Sequence, residues 1–187
     1  MIHMFTNKPH QNIFNQNYKY FIFENNYSSQ VKPAKLASFI LKKEKNIINK
    51  TKKEYGIHNF KVQTKYLNDL YKIFIDYAKK ILKPFTIKDK NFKVWCYITD
   101  SKYNGGNWHN HINTANINAV IYLKIKDEGI NFRYNNKQIY LKPNNGDMLI
   151  FPAFLDHYPV PSKKDKRISI NLELICNENE REIFNVH

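Results

Sequence analysis

The chain has 187 residues, of which 42% are hydrophobic and 15% aromatic, and this composition excludes an intrinsically disordered protein. The 30 lysines and arginines outnumber the 16 acidic residues and give a net charge of +14, but they are spread along the whole chain. The charge therefore permits a nucleic-acid or ribosomal partner without requiring one. No window is apolar enough to span a bilayer and the first residues lack a secretory pattern, so we expect a cytoplasmic protein without a membrane partner.

The first half of the chain is predicted to contain one strand and two helices. The aromatic run at residues 18–23 is typical of a strand. Pro33 opens a stretch in which apolar residues recur at helical spacing until about Gly56. A second amphipathic helix is predicted at about 64–82, before Pro84. We expect these helices, at about 30–84, to support a sheet formed by the second half.

From Phe92 onward the apolar residues alternate or form short runs, which is typical of strands. Strands are predicted at 92–99, 118–125, 130–134, 138–141, 147–151, 157–161 and 167–175. Short strands at close spacing, separated by turn residues, favour a sandwich or barrel. The expected fold is a single α+β domain over residues 1–187, mainly β, with its β core at about 92–176 and helices packed on one sheet.

Three of the seven histidines stand in positions that suit a common site. His109 and His111 form an H-x-H pair before the predicted strand 118–125, and His157 begins a later strand. Side chains at i and i+2 share a face of an extended segment, so His109 and His111 can point at one spot that His157 completes. Three protein ligands with open positions are what an iron centre needs to bind a cosubstrate and O₂. Taken alone, an H-x-H pair is equally typical of histidines that hydrogen-bond at a loop surface.

The residues around these histidines form an ordered set of short motifs. In chain order they are Trp-Cys-Tyr-Ile at 95–98, Trp-His-Asn-His at 108–111, Val-Ile-Tyr-Leu-Lys at 120–124, Gly-Asp-Met-Leu-Ile-Phe-Pro at 146–152, Asp-His at 156–157 and Arg-Ile-Ser-Ile-Asn at 167–171. The set resembles the Fe(II)- and 2-oxoglutarate-dependent oxygenases, and most of all the small prolyl-hydroxylase-like members from bacteria and bacteriophages. The resemblance covers residues 95–175, and its most specific part is 146–169.

The resemblance implies a double-stranded β-helix of the jelly-roll or cupin kind with N-terminal supporting helices. It also implies Fe(II), 2-oxoglutarate as cosubstrate, and O₂. His109 matches the first metal ligand and His157 the distal one. Arg167 matches the residue that grips the far carboxylate of 2-oxoglutarate, a role that suits a planar guanidinium, and Ser169 shares its strand face. Tyr122 matches a strand tyrosine that contacts the same carboxylate.

The sequence departs from the family pattern at one ligand position. The usual triad has a carboxylate two residues after the first histidine, where this chain has His111. The site is then formed by three histidines, or by His111 with Asn113 in an H-x-N arrangement, or by His109 and His157 with water in the third place. We expect the set of three histidines, which removes one negative charge from the ligands and weakens Fe(II) binding.

The resemblance implies hydroxylation of a C–H bond in a peptide or protein substrate, ribosomal proteins included. Tyr97, Tyr103 and Trp108 are candidates for an aromatic rim that receives this substrate, although ordinary packing would also explain them.

Three alternatives compete with the peptide hydroxylase. A nucleic-acid oxidative demethylase agrees with the net charge and with the run at 167–171, but that family keeps H-x-D and a second arginine, where this chain has Glu173. A cupin that binds metal without 2-oxoglutarate explains three histidines but not Arg167 and Ser169. The last alternative is a non-catalytic β-sandwich used for interaction.

Overall fold

The computed structural model describes residues 8–9, 21–48, 65–88, 93–99, 107–160, 162 and 165–186. Its strands are β1 (Lys8–Pro9), β2 (Phe23–Asn26), β3 (Lys93–Thr99), β4 (Ile117–Lys124), β5 (Ile130–Tyr134), β6 (Lys137–Leu141), β7 (Asp147–Pro152), β8 (Asp156–Pro159) and β9 (Arg167–Leu174). Its helices are α1 (Ser28–Val31), α2 (Pro33–Ile48), α3 (Lys65–Ile81) and α4 (Glu180–Phe184). The side chains of β1, of residues 43–48 and of residues 65, 66 and 93 are not described.

The strands form two antiparallel sheets. The larger sheet has six strands in the order β1-β2-β7-β4-β9-β3, and the smaller has three in the order β6-β5-β8. β5 and β6 form a hairpin, whereas most neighbours in the larger sheet are distant in sequence, as for β3 and β9, so long-range backbone pairing determines which side chains face each other there. The expectation of a mainly β fold with few helices is confirmed.

The two sheets pack face to face, with helices on the other side of the larger one. Phe132 of β5 meets Phe151 of β7 with ring centroids 5.0 Å apart, and both side chains are buried. On the opposite side α2 packs against β4, and the Tyr77 hydroxyl of α3 donates to the Glu24 carbonyl of β2 at 3.1 Å. Because both faces are covered, β7 is buried along its whole length.

Most predicted boundaries agree with the structure to within two residues. The strand predicted at 130–134 is β5, and the helix predicted at 64–82 is α3. The predicted end of the first helix near Gly56 lies outside the described residues, since α2 is described to Ile48. Of the described helices, none is long and apolar enough to cross a membrane.

The strand predicted at 18–23 agrees with the structure only at Phe23 among the residues that can be compared. Residues 18–20 lie outside the described part, and Phe21 and Ile22 are buried without belonging to a strand. The strand is β2, which begins at Phe23 and continues through three polar residues. Those residues pair with β7 through backbone hydrogen bonds, which place no demand on side-chain polarity, while the apolar pair before them packs in the core.

Candidate metal centre

Three histidines meet where the chain after β3 runs along β8. His109 and His157 form a single antiparallel bridge, in which each backbone N–H donates to the other residue's carbonyl, at 3.1 and 2.8 Å. The His111 N–H donates to the Ala153 carbonyl at 2.9 Å, which holds the same segment against the turn before β8. One ring nitrogen from each of the three histidines lies within 4.8 Å of the others. The structure therefore brings together the three predicted ligands, whereas Asn113 lies in an exposed turn.

Hydrogen bonds orient two of these imidazoles. Nδ1 of His109 lies 2.9 Å from the Asn107 carbonyl, and Nδ1 of His157 lies 3.1 Å from the Leu155 carbonyl. A carbonyl oxygen only accepts hydrogen bonds, so each Nδ1 carries the proton and donates it. Each Nε2 then keeps its lone pair, and a backbone acceptor on the other nitrogen is typical of histidines that bind a metal.

The third imidazole has a carboxylate as its partner. Nδ1 of His111 lies 2.7 Å from Oε1 of Glu173 on β9, and the Glu173 side chain is almost completely buried. The Thr114 hydroxyl donates to the same oxygen at 3.1 Å. Glu173 was not predicted as a site residue. Its signal was an acidic residue at an even spacing from Arg167 in a strand that alternates polar and apolar residues, which places both residues on one face.

Burial favours the neutral form that a metal requires in two of these histidines. Desolvation, followed by the neighbouring His109 and His111, holds the pKa of the fully buried His157 well below its ordinary value of 6.5. The pKa of His109 is also lowered, mainly by partial burial. At neutral pH His157 and His109 are therefore uncharged and able to coordinate a metal.

One face of β9 connects the histidines to the predicted cosubstrate residues. Arg167, Ser169 and Glu173 alternate with apolar residues and so project from the same face. Across the ladders, Tyr122 of β4 pairs with Ser169, and Thr99 of β3 pairs with Arg167. Tyr122, Ser169 and Arg167 thus lie on the face from which Glu173 reaches His111.

The Arg167 guanidinium is buried with 1% exposure, and its carbon lies 5.3 Å from the centre of the Tyr122 ring. Within the described ranges, Nε and Nη1 of Arg167, the Tyr122 hydroxyl and the Thr99 hydroxyl have no hydrogen-bond partner. Burial raises the pKa of Tyr122, so its hydroxyl stays protonated and can donate. A carboxylate fits this group of donors, because it accepts several hydrogen bonds and balances the buried positive charge.

Asn118 is a second residue of this face that was not predicted from the sequence. It lies on β4 between Glu173 of β9 and Phe151 of β7, to both of which it is directly paired, and it is buried. Phe151 contacts His157, with ring centroids 5.0 Å apart, so this face of β4 borders the histidines. Neither polar atom of the Asn118 amide has a partner in the part of the chain that is described. An asparagine in the apolar run of β4 was the available signal.

The structure places two of the three predicted rim residues. Tyr97 of β3 is half-buried and pairs with Ser169. Trp108, also half-buried, precedes His109, and the Arg133 guanidinium lies 4.6 Å above its ring. Tyr103 lies outside the described residues.

Asp156 fastens the segment that carries the first two histidines. One of its carboxylate oxygens accepts from Nδ2 of Asn110 at 2.8 Å, and the other accepts from Nε of Arg133 at 3.0 Å. Arg133 also covers Trp108, whose ring lies 5.9 Å from that of Tyr158. We call these contacts the Asp156 clasp, and residues 107–111 the histidine segment. The clasp ties the histidine segment to β5 and β8.

Comparison with known proteins identifies the fold. No family model matches the sequence, and no curated protein matches it. A prolyl-4-hydroxylase from Pseudomonas putida superposes with a TM-score of 0.61 at 10% identity, over 84% of this chain and 94% of that one. A Trichoplax adhaerens prolyl hydroxylase, solved with a peptide fragment of the hypoxia inducible factor oxygen degradation domain, gives 0.59 at 13% identity, over 92% and 89%.

A prolyl 4-hydroxylase from Phytophthora capsici gives a TM-score of 0.57 at 12% identity, over 84% of this chain and 59% of the other, so our chain spans about three fifths of that enzyme. Sequence identities this low establish a shared fold. The function has to be argued from the site itself.

Proposed function

We propose that residues 1–187 form a single domain that acts as an Fe(II)- and 2-oxoglutarate-dependent dioxygenase and hydroxylates a C–H bond in a peptide or protein. In this proposal the two sheets are the layers of a double-stranded β-helix, and His109, His111 and His157 hold the metal. The observation that carries it is the buried Arg167 guanidinium, which lacks partners for two of its nitrogens among the described residues and lies on the face that leads to the histidines.

Each part of the site has a definite task in this proposal. When bound, Fe(II) and 2-oxoglutarate supply the activation of O₂ and the electrons that its reduction needs. Arg167 and Tyr122 bind the far carboxylate of 2-oxoglutarate, and Ser169 lies beside them. Phe132 and Phe151 exclude water from the space between the sheets. The backbone acceptors on Nδ1 of His109 and His157 hold those rings in the orientation that metal binding requires.

A peptide substrate is supported by the mouth of the site. Trp108 and Tyr97 offer aromatic surface, one on the histidine side and the other on the Ser169 side. The prolyl hydroxylase from Trichoplax adhaerens was solved with a peptide on the same fold.

A metal-binding cupin without 2-oxoglutarate is the second candidate, because the ligand set holds three imidazoles and no carboxylate. Anaerobic titration of the metal-free protein with Fe(II) and then 2-oxoglutarate separates the two. We expect the weak visible charge-transfer band of the keto-acid chelate to form. If Fe(II) binds but the band does not form, the cupin function is favoured. If neither Fe(II) nor 2-oxoglutarate binds, the histidines have a structural role only.

Two variants test which residues bind the iron and which bind 2-oxoglutarate in the complex that gives the charge-transfer band. His157→Ala should abolish both iron binding and the band. Arg167→Met should still bind iron, but formation of the band should require at least about tenfold more 2-oxoglutarate. The reason is that a hydrogen bond from a charged group contributes about 1.5–3 kcal/mol to binding. Arg181→Met is the matched control, because the Arg181 side chain lies over Phe154 and is exposed. Succinate release stimulated by peptides, and not by methylated oligonucleotides, would then support the peptide substrate over the nucleic-acid alternative.

A further inference from the structure

The three imidazoles of the candidate metal centre differ in what holds them. His109 and His157 donate to neutral backbone carbonyls, whereas His111 donates to the Glu173 carboxylate at 2.7 Å. His111 also stands where the family pattern places a carboxylate ligand. The carboxylate that contacts His111 therefore lies behind the residue that replaces the usual carboxylate ligand.

The surroundings of Glu173 fix this contact. The Glu173 side chain is only 3% exposed, and the Thr114 hydroxyl donates to the oxygen that accepts from His111. Glu173 belongs to β9, the second strand from the edge of the six-stranded sheet, so its backbone is paired on both sides. A buried carboxylate on a rigid strand has few alternative positions, and low dielectric strengthens its effect on the neighbouring ring.

An imidazole that donates to a carboxylate is a stronger metal ligand than one that donates to a carbonyl. The carboxylate draws the Nδ1 proton, and electron density accumulates on Nε2. The negative charge itself also attracts a divalent cation bound on the far side of the ring. Both effects depend on Glu173 lying behind His111, and neither requires Glu173 to touch the metal.

We propose that Glu173 is a positioning residue that supplies, through His111, the negative charge that a carboxylate ligand provides in the usual triad. The centre then keeps the net charge of a site with two histidines and one carboxylate, although all three ligands are imidazoles. This inference rests on the proposed function in one respect, which is that the three histidines bind a metal.

The first test removes only the charge. In Glu173→Gln the side chain keeps its size and an oxygen that can accept from His111. Titration of the metal-free protein with Co(II), without any keto acid, should show affinity about 10–100-fold weaker than in the wild type. The visible absorption of bound Co(II) should shift as well, because His111 becomes a weaker ligand. An affinity within twofold of the wild type overturns the proposal.

Glu178→Gln is the matched control for this test. The Glu178 carboxylate accepts from the Thr86 backbone N–H at 2.7 Å. That contact is outside the histidine cluster, so we expect Co(II) affinity equal to that of the wild type. An equal loss in Glu173→Gln and Glu178→Gln would show a general electrostatic effect and overturn the role of the His111 contact.

A charge exchange keeps the proposal testable even if Glu173→Gln alone is unstable. His111→Asp with Glu173→Gln moves the negative charge from Glu173 to the ligand position, so this double variant should bind Co(II) within about threefold of the wild type. In the His111→Asp background the ligand itself carries the charge and Glu173 has no imidazole through which to act, so adding Glu173→Gln should cost far less than the loss of about 10–100-fold expected beside His111. The same substitution thus matters next to a histidine and matters little next to an aspartate.

The outcomes separate this inference from the proposed function. If Glu173→Gln lowers Co(II) affinity equally in both backgrounds, its effect is structural and the inference fails, while the chelate band of the wild type still supports the oxygenase. If the wild type binds no Co(II) and no Fe(II), both fail together. A loss of Co(II) affinity that is large beside His111 and small in the His111→Asp background supports the inference whatever the result with 2-oxoglutarate.

Discussion

Single residues in the site bury polar atoms for which the described part of the chain offers no partner. They include the Tyr122 hydroxyl, two nitrogens of Arg167 and both amide atoms of Asn118. A buried polar atom without a partner costs about 1–3 kcal/mol of stability. Three such side chains on one face indicate that this face is completed by a ligand, since stability alone would favour apolar residues there.

Tyr122→Phe should therefore stabilise the metal-free protein and weaken binding of 2-oxoglutarate. The substitution keeps the ring packing on Arg167 and removes only a buried hydroxyl without a described partner. We expect the unfolding free energy in urea to rise by about 1 kcal/mol, and the Kd for 2-oxoglutarate of the Fe(II) protein to rise about fivefold.

Tyr77→Phe provides the comparison for that result. The Tyr77 hydroxyl donates to the Glu24 carbonyl at 3.1 Å, so its removal should lower the unfolding free energy by about 1 kcal/mol and leave 2-oxoglutarate binding unchanged. Loss of stability in Tyr122→Phe together with unchanged affinity for 2-oxoglutarate would contradict the assignment of Tyr122 to the cosubstrate.

The residues that sequence reasoning found and missed differ in how local their signals are. His109 and His111 share a tripeptide, and a histidine that begins a strand, such as His157, also stands out in the sequence. Glu173 gains its role from contact with His111, and Asn118 from pairing with two strands of the sheet. Those contacts depend on the order β7-β4-β9, which no short window of the sequence contains.

Among the elements, strands with alternating apolar residues were predicted best. The bounds of β5 agree with the prediction at both ends, and β9 differs by one residue. The sequence analysis did not predict α4, which has five residues and begins after Asn179, whose side chain accepts from the Arg181 N–H. So short a helix has no periodic pattern, and its formation depends on that cap and on contact with β7.

The histidine segment is a connection and not a strand, so its position depends on specific contacts with β8 and β5. Its backbone shares one bridge with His157, and the Asp156 clasp supplies the described side-chain contacts that fasten it from outside. A metal site tolerates little displacement of its ligands, so loosening a ligand-bearing connection should reduce metal affinity more than it reduces stability.

Asp156→Ala should weaken Co(II) binding several-fold while it changes the unfolding free energy by less than about 1 kcal/mol. The small effect on stability follows because the ion pair with Arg133 is partly exposed and screened by solvent. The matched control is Asp127→Ala, which breaks the exposed ion pair with Lys142 at the opposite end of the β5–β6 hairpin. Equal Co(II) affinity in the two variants would show that the clasp does not position the ligands.

At the scale of the whole molecule, the candidate metal centre joins the two sheets. His157 belongs to the smaller sheet, and His111 is held by Glu173 of the larger one. The side chains between the sheets are apolar near Phe132 and Phe151, so the histidines lie at the border of a dry region. Stability of the whole domain is therefore coupled to the protonation of His157 and to metal binding.

The unfolding free energy of the metal-free protein should fall as the pH is lowered from 7 to 5.5. Burial holds the pKa of His157 in the folded protein well below 6.5, its ordinary value, which applies to the unfolded chain. Between these two pKa values the unfolded chain binds more protons, so each proton added favours unfolding, by up to about 1.4 kcal/mol per pH unit for one histidine. The lowered pKa of His109 acts in the same direction.

Urea denaturation at several pH values in the window between 7 and 5.5 measures how steeply the unfolding free energy depends on pH. The variant His157→Gln shows how much of this dependence comes from the His157 ring. We expect a smaller slope in His157→Gln, because the substituted side chain does not titrate, whereas carboxylates with ordinary pKa values near 4 act mainly below the window. Added Co(II) should stabilise the wild type most at pH 7 and progressively less at lower pH, because protons and metal compete for the same nitrogens. An identical slope in the wild type and in His157→Gln would mean that this buried ring does not couple folding to pH.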